Sequence, residues 1–295
     1  LTVNVVKYLA GRLFSFTLYP FDFQEYLSYK DPPLYDYYKG LGSYRKLGSV
    51  ILNKFNSLVE DFIIYGGYPR VVISRDNGEK QEVLKNILNI YLLRDIRDIL
   101  GLTDDYKIFN LIKAVALQIG SVISYAEVST ITQQSFGSLK KYLNLLEKTY
   151  IAALVKPFFT NRRTELVKNP KGYFYDTGLR NAVISDFKRL DARQDKGVLY
   201  ENFIFTELIK KDFTLKYWRT KSKAEVDFII NDKIPVEVKS NMSRAITRKS
   251  LLSFIEKYSP KDAFIFNRDI LQKIKINKTN ICFLYHFLPI ADYFC

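Results

Sequence analysis

Asp227, Glu237 and Lys239 have the residue types and spacing to do chemistry together. Asp227 lies in Glu225-Val226-Asp227-Phe228-Ile229-Ile230, and the other two lie in Ile234-Pro235-Val236-Glu237-Val238-Lys239. Both segments alternate apolar with polar residues, the period of a half-buried strand. Val226, Phe228 and Ile230 then share one face, as do Ile234, Val236 and Val238. The polar Asn231-Asp232-Lys233 between them suits a hairpin connection. Pairing Ile230 with Ile234 sets Phe228 against Val236 and Val226 against Val238. The same register puts Asp227 opposite Glu237, and Glu225 opposite Lys239. Directly opposed side chains are about 4.5–5.5 Å apart at Cβ, and two carboxylates held so close need a cation or a shared proton. Mg²⁺ or Mn²⁺ is the expected cation, since hard divalent ions take oxygen ligands.

Lys239 follows Glu237 on the same face, where an ammonium can stabilise charge developing on a phosphate. A metal ion there would lower the pKa of a bound water. Glu201 is the fourth candidate. In the expected helix 197–211, Glu201, Ile204, Phe205 and Leu208 form one stripe facing the sheet, an expensive place for an unpaired carboxylate. It is read as a further metal ligand; a solvent-edge position or a salt bridge to a lysine are its alternatives.

Other chemistries have little to work with. His286 is the single histidine and lies in an aromatic run, so a packing or surface role is expected. Cys282 and Cys295 make neither a disulfide framework nor a zinc-ligand spacing. Apolar residues form 47% and charged residues 26% of the 295, as in globular proteins. The longest nearly uncharged run, 281–291, is too short for a bilayer span, and no signal pattern opens the chain. A cytoplasmic protein without a membrane partner is expected. The only methionine is Met242, so the chain reads as a fragment or a processed product. A net charge of +14 and a pI of about 9.5 favour a polyanionic partner; a solvated, lysine-rich surface is the alternative.

The elements that must position the site follow from periodicity. Helices are expected over 50–65 and 80–100, separated by the turn Gly66-Gly67-Tyr68-Pro69, with a loop over 31–48. Ile108, Leu111, Ile112, Val115, Ala116 and Ile119 form an amphipathic stripe. Ser124 with Glu127 resembles a capping box, and Ser135 or Ser138 opens a third helix. Three short-linked helices and a strand over 151–159 read as a winged helix-turn-helix spanning 106–172. Its third helix carries Lys140 and Lys141. Its wing carries Lys156, Arg162, Arg163, Lys168 and Lys171 against one acid, Glu165. DNA is the expected partner, with the helix in the major groove and the wing on phosphate; a helical packing or dimerisation module is the alternative. From 173 to 295, strands alternate with helices in an α/β order (α+β overall) with a mixed sheet.

At Glu201, Asp227 and Glu237-Val238-Lys239 the chain resembles the PD-(D/E)xK nuclease superfamily, with its restriction-endonuclease-like mixed sheet flanked by helices. More of it is similar to the C-terminal part of archaeal and bacterial AAA+-type P-loop ATPases that carry a C-terminal domain of unknown function. The similarity runs through Gly11-Arg12, Leu18-Tyr19-Pro20-Phe21-Asp22-Phe23-Gln24-Glu25-Tyr26, Gly66-Gly67-Tyr68-Pro69 and Leu93-Arg94-Asp95-Ile96. It continues through Phe174-Tyr175-Asp176-Thr177-Gly178-Leu179, Tyr200-Glu201-Asn202 and Tyr217-Trp218-Arg219. This implies the remnant of an ATPase domain over 1–30, in which Arg12 once contacted nucleotide, and a helical linker or lid over 31–105. No G-x-x-x-x-G-K-[ST] occurs, so neither ATP binding nor hydrolysis is expected without that missing portion, through which homo-oligomers would form. Three functions follow as expectations. They are a Mg²⁺-dependent DNA nuclease, a non-catalytic DNA-binding or regulatory region with a vestigial nuclease fold, and a protein-interaction module.

Overall fold

The computed structural model describes residues 16–41, 45–89 and 106–289. Arg12 and the Leu93-Arg94-Asp95-Ile96 motif lie outside them. The described chain begins with helices α1 (Phe23–Lys30), α2 (Pro32–Lys39), α3 (Ser49–Tyr65), α4 (Pro69–Val72) and α5 (Asn77–Asn86). The Asp22 side chain accepts from Glu25 N while Glu25 answers on the Asp22 backbone, a complete capping box at the start of α1. Helix α2 lies where a loop is expected. Asp31 accepts from Leu34 N and Pro32 sits at the first helical position, so the prolines start a helix here instead of breaking one.

Then come α6 (Tyr106–Leu117), α7 (Tyr125–Thr132), α8 (Phe136–Lys148), β1 (Ala152–Val155), α9 (Arg162–Val167) and β2 (Lys171–Phe174). Ser124 and Ser135 cap α7 and α8 through their hydroxyls. Leu139, Leu143 and Leu146 bury one face of α8, each contributing about 1.5–3 kcal/mol. Strands β1 and β2 pair antiparallel from Ala152–Phe174 to Val155–Lys171. The expected wing is therefore not a simple hairpin: its connection contains α9 and is tied down. Glu165 accepts from Phe159 N at 3.0 Å and pairs with Lys216 at 2.9 Å. Tyr217 N donates to Lys156 O, and Phe158 N to Tyr217 O.

The remaining elements are α10 (Thr177–Ile184), α11 (Lys196–Ile209), β3 (Leu215–Arg219), β4 (Glu225–Ile230), β5 (Ile234–Val238), α12 (Lys249–Tyr258), β6 (Asp262–Asn267), β7 (Gln272–Ile276) and β8 (Thr279–Tyr285). They build a mixed six-stranded sheet of order β3-β4-β5-β6-β8-β7, with β5-β6 and β6-β8 parallel. The fold is thus α/β in its second half and α+β overall. One apolar cluster runs from α1 and α3 through α6–α8 to α11 and one face of the sheet. A second lies between α12 and the opposite face. The expected boundary at 172/173 cuts through β2, and the first cluster spans it. Among the described residues, no helix is long and apolar enough to cross a membrane.

Two glycine motifs join the helices. Gly66 (φ 78°) ends α3, and Gly67 N donates to buried Asp176 Oδ2 at 2.7 Å. Asp176 also caps α10 by accepting from Leu179 N. A Cβ at Gly178 would lie 2.0 Å from Tyr65 O. These motifs lock α3 against α10, a packing role.

Candidate active site

The centre sits where the β4–β5 ladder stops. Asn231 and Asp232 turn the chain with φ of 50° and 60°, a conformation their short polar side chains tolerate. From that turn Ile230–Ile234, Ile229–Pro235 and Phe228–Val236 pair in the expected register. Beyond Phe228 the expectation fails. On the other edge of β4, Lys216 pairs with Ile229 but Trp218 pairs with Val226, so β4 has one residue more than β3. Asp227 and Phe228 together oppose Tyr217, which is a β-bulge. Val226 consequently joins the α12 cluster with Ile229, whereas Phe228 and Ile230 belong to the α11 cluster. Asp227 is not laddered against Glu237, nor Glu225 against Lys239. Asp227 Oδ2 instead accepts from Val238 N at 2.7 Å, and Glu225 pairs across with Arg219.

The bulge still brings the expected residues together. Lys239 Nζ lies 2.8 Å from Glu237 Oε2 and 3.9 Å from Asp227 Oδ2. Glu237 Oε1 accepts from Ser250 Oγ on α12 at 3.1 Å. Glu237 Oε2 is buried, and its partner is the Lys239 ammonium. Burial raises the Glu237 pKa, and Lys239 opposes the rise. The Lys239 backbone is fixed by N–H donation to Phe266 O at 2.8 Å and by His286 Nε2, 3.0 Å from Lys239 O. His286 stacks on Tyr200 at 4.3 Å, and burial lowers its pKa to about 3, so the ring is neutral.

Glu201 enters from α11. Asn202 beside it pins that helix to β2, accepting from Phe174 N and donating to Phe174 O, each at 2.8 Å. Glu201 Oε1 accepts from Lys171 Nζ at 3.1 Å and from the Tyr173 hydroxyl. Lys171 also reaches Glu225 Oε1 at 2.6 Å, and Arg219 Nε lies 3.5 Å from Glu225 Oε2. Burial raises the Glu201 pKa, helped by the Asp227 charge and opposed by Lys171 and Tyr173. For Lys171 burial works against the charge, yet Glu201, Asp227 and Glu225 outweigh it and hold the ammonium protonated. Lys171 is 1% exposed.

This corrects the role of Lys171, which is an internal counter-ion and not a phosphate contact on the wing. A signal for it existed: Lys171 and Tyr173 share one face of β2, two polar ends in an otherwise apolar strand. Lys140 and Lys141 are exposed on α8, as are Lys156, Arg163 and Lys168 on the β1–β2 connection. The Arg162 side chain lies outside the described residues.

Among the described residues, no group of three or more His, Cys, Asp or Glu side chains is arranged to hold a metal ion. Asp227 and Glu237 are oxygen donors of the kind a hard cation takes, and the Lys239 ammonium already lies 2.8 Å from Glu237 Oε2. Lys171 supplies the positive charge at Glu201 from within the protein.

Two families match successive parts of the chain, a domain of unknown function (DUF8612) over residues 56–191 and another (DUF4143) over residues 196–287. An uncharacterized protein of Haemophilus influenzae is 27% identical over 238 residues, 78% of this chain and 53% of its own length. An uncharacterized protein of Methanocaldococcus jannaschii is 24% identical over 238 residues, again 78% of this chain and 50% of its own length. The chain thus spans about half the length of these curated relatives. No solved structure matches it. Lys171 falls in the first matched stretch, and Glu201, Glu225, Asp227, Glu237 and Lys239 fall in the second. The chain is therefore similar to two families of domains of unknown function, and the buried Lys171 ion pairs join one match to the other.

Proposed function

We propose that this chain is a nucleic-acid-binding, nuclease-like module that cleaves phosphodiester bonds in DNA. The observation that carries the reading is the convergence of Asp227, Glu237 and Lys239 at the β4 bulge. Asp227 and Glu237 would hold Mg²⁺ or Mn²⁺, with Glu201 as the further acidic group. The ion, when bound, supplies a Lewis acid and a water of lowered pKa. Asp227 keeps its orientation through the Val238 amide. Lys239 offers its ammonium to charge building on the phosphate oxygens. The basic surface, including Lys140, Lys141, Lys156, Arg163 and Lys168, would draw in the polyanion, and binding should weaken steeply with salt.

The test is calorimetric titration of the full chain with Mn²⁺ and with Mg²⁺, together with cleavage of labelled DNA. Ion binding and cleavage in the wild type, both lost in Asp227→Asn, support the reading. Cleavage that survives Asp227→Asn or Lys239→Ala would sink it.

Lys171 favours a second reading. Its buried ammonium already answers Glu201 and Glu225, as in a site where a protein cation stands in place of a metal ion, which favours a non-catalytic DNA-binding or regulatory region with a vestigial nuclease fold. Salt-sensitive DNA binding with neither metal uptake nor cleavage would select it.

A further inference from the structure

A groove of about 760 Å³ opens between the β1–β2 connection, the edge strand β3 and the end of α12. Its cations are Lys168, Arg219, Lys221 and Lys257, and among the described residues that line it none is acidic. Its wall is aromatic. Trp218 and Tyr258 stand edge to face at 6.3 Å, and Phe158 behind them packs on Tyr258 at 5.4 Å. Lys257 Nζ lies 5.1 Å from the Tyr258 ring centre, and Tyr258 and Phe159 are half-exposed towards the opening.

Cations alternating with partly open rings suit a strand whose bases are unpaired, since a duplex hides the faces of its bases. The volume points the same way, being that of a ligand-sized pocket. Arg219 lines the groove and also lies 3.5 Å from Glu225, the partner of Lys171, so this one side chain links the groove's wall to the acidic centre.

We infer that this groove binds a single-stranded nucleic-acid segment, its phosphates on Lys168, Arg219, Lys221 and Lys257 and a base against the half-exposed rings of Tyr258 and Phe159, with buried Trp218 behind Tyr258. The inference deepens the nuclease reading, and rests on it only for where the strand leads. Binding itself requires no metal.

The experiment titrates the full chain with labelled oligo(dT) in EDTA and follows anisotropy together with tryptophan emission. Trp218 is the only tryptophan in the chain and lines the groove behind Tyr258, so emission comes from a single ring at this place. Saturable binding with quenched emission is expected. Lys221→Glu with Lys257→Glu should weaken it at least about tenfold, and the salt slope should fall by about 0.7 for each phosphate that is no longer neutralised. Both lysines are exposed, and unchanged circular dichroism would show that the variant folds. Three outcomes overturn the inference: no strand binding at moderate salt, binding indifferent to the charge reversals, or duplex binding as tight as single-strand binding with unchanged emission. Cleavage in Mn²⁺ is read separately. Strand binding without cleavage would remove the nuclease reading and leave the groove, whereas cleavage without groove dependence would do the reverse.

Discussion

The Lys171 ammonium, carried by β2, lies 2.6 Å from the Glu225 carboxylate at the start of β4. With Glu201 on α11 as its second partner, it ties the helical half of the chain to the sheet. Desolvating one ammonium costs several kcal/mol, which attraction recovers only where several opposite charges meet it in good geometry. Three carboxylates act on Lys171, and here attraction wins.

Lys171→Met removes that cation and leaves Glu201 and Glu225 facing each other without it. We expect a loss of about 3–5 kcal/mol in denaturant unfolding. Combining it with Glu201→Gln should cost less than the sum of the single changes, because the second removes the charge that the first strands. Additive losses would show that the pair is not coupled.

Asp227 has a structural task as well as its proposed chemical one. Asp227→Ala leaves the Val238 amide without its acceptor and should cost about 1–3 kcal/mol. Asp227→Asn keeps an oxygen for that amide and should stay near wild-type stability. Thermal unfolding of both variants checks this, and equal destabilisation would mean that the Val238 bond carries no weight.

Glu207 on α11 accepts from Phe23 N through both oxygens, and burial raises its pKa to about 7. Between about 4.5 and about 7 the folded chain keeps a proton that the unfolded chain has released. Raising the pH through that window therefore lowers stability. Burial raises the Glu201 pKa to about 7 as well, so Glu207→Gln should make the fall shallower, not abolish it, as read from unfolding midpoints. A variant profile that falls as the wild type's does would assign the dependence to other groups.

Gly178→Ala places a Cβ 2.0 Å from Tyr65 O. A backbone oxygen at the end of α3 cannot rotate away, so a loss of about 3 kcal/mol is expected. A wild-type melting temperature would refute the α3–α10 contact.

Much of this was legible in the residues. The β4–β5 hairpin followed from alternation around Asn231-Asp232, and its register held as far as Phe228–Val236 because turn and pattern agree there. Helices α6, α7 and α8 were marked by apolar stripes and by Ser124 and Ser135. Helix α2 is less legible, because prolines commonly interrupt helices, although Asp31 before Pro32 is a helix start. The bulge left no trace, since an inserted residue in an apolar strand changes none of the residue types that alternation counts. A salt bridge from Glu201 to a lysine is among the alternatives that the sequence offers, and only the packed structure names Lys171 as its partner.

By themselves, then, local pattern and composition determined an α/β second half preceded by short helices. They also determined the grouping of Asp227, Glu237 and Lys239 and an excess of positive charge, because these depend on neighbours within a few residues. Tertiary structure decided which carboxylates share which cation. Lys171 meets Glu201 and Glu225 only after β2, α11 and β4 have packed, and Asp227 turns to the Val238 amide only because Tyr217 faces two residues of β4. Those contacts join segments far apart in the chain, and their energy depends on burial that no local pattern encodes.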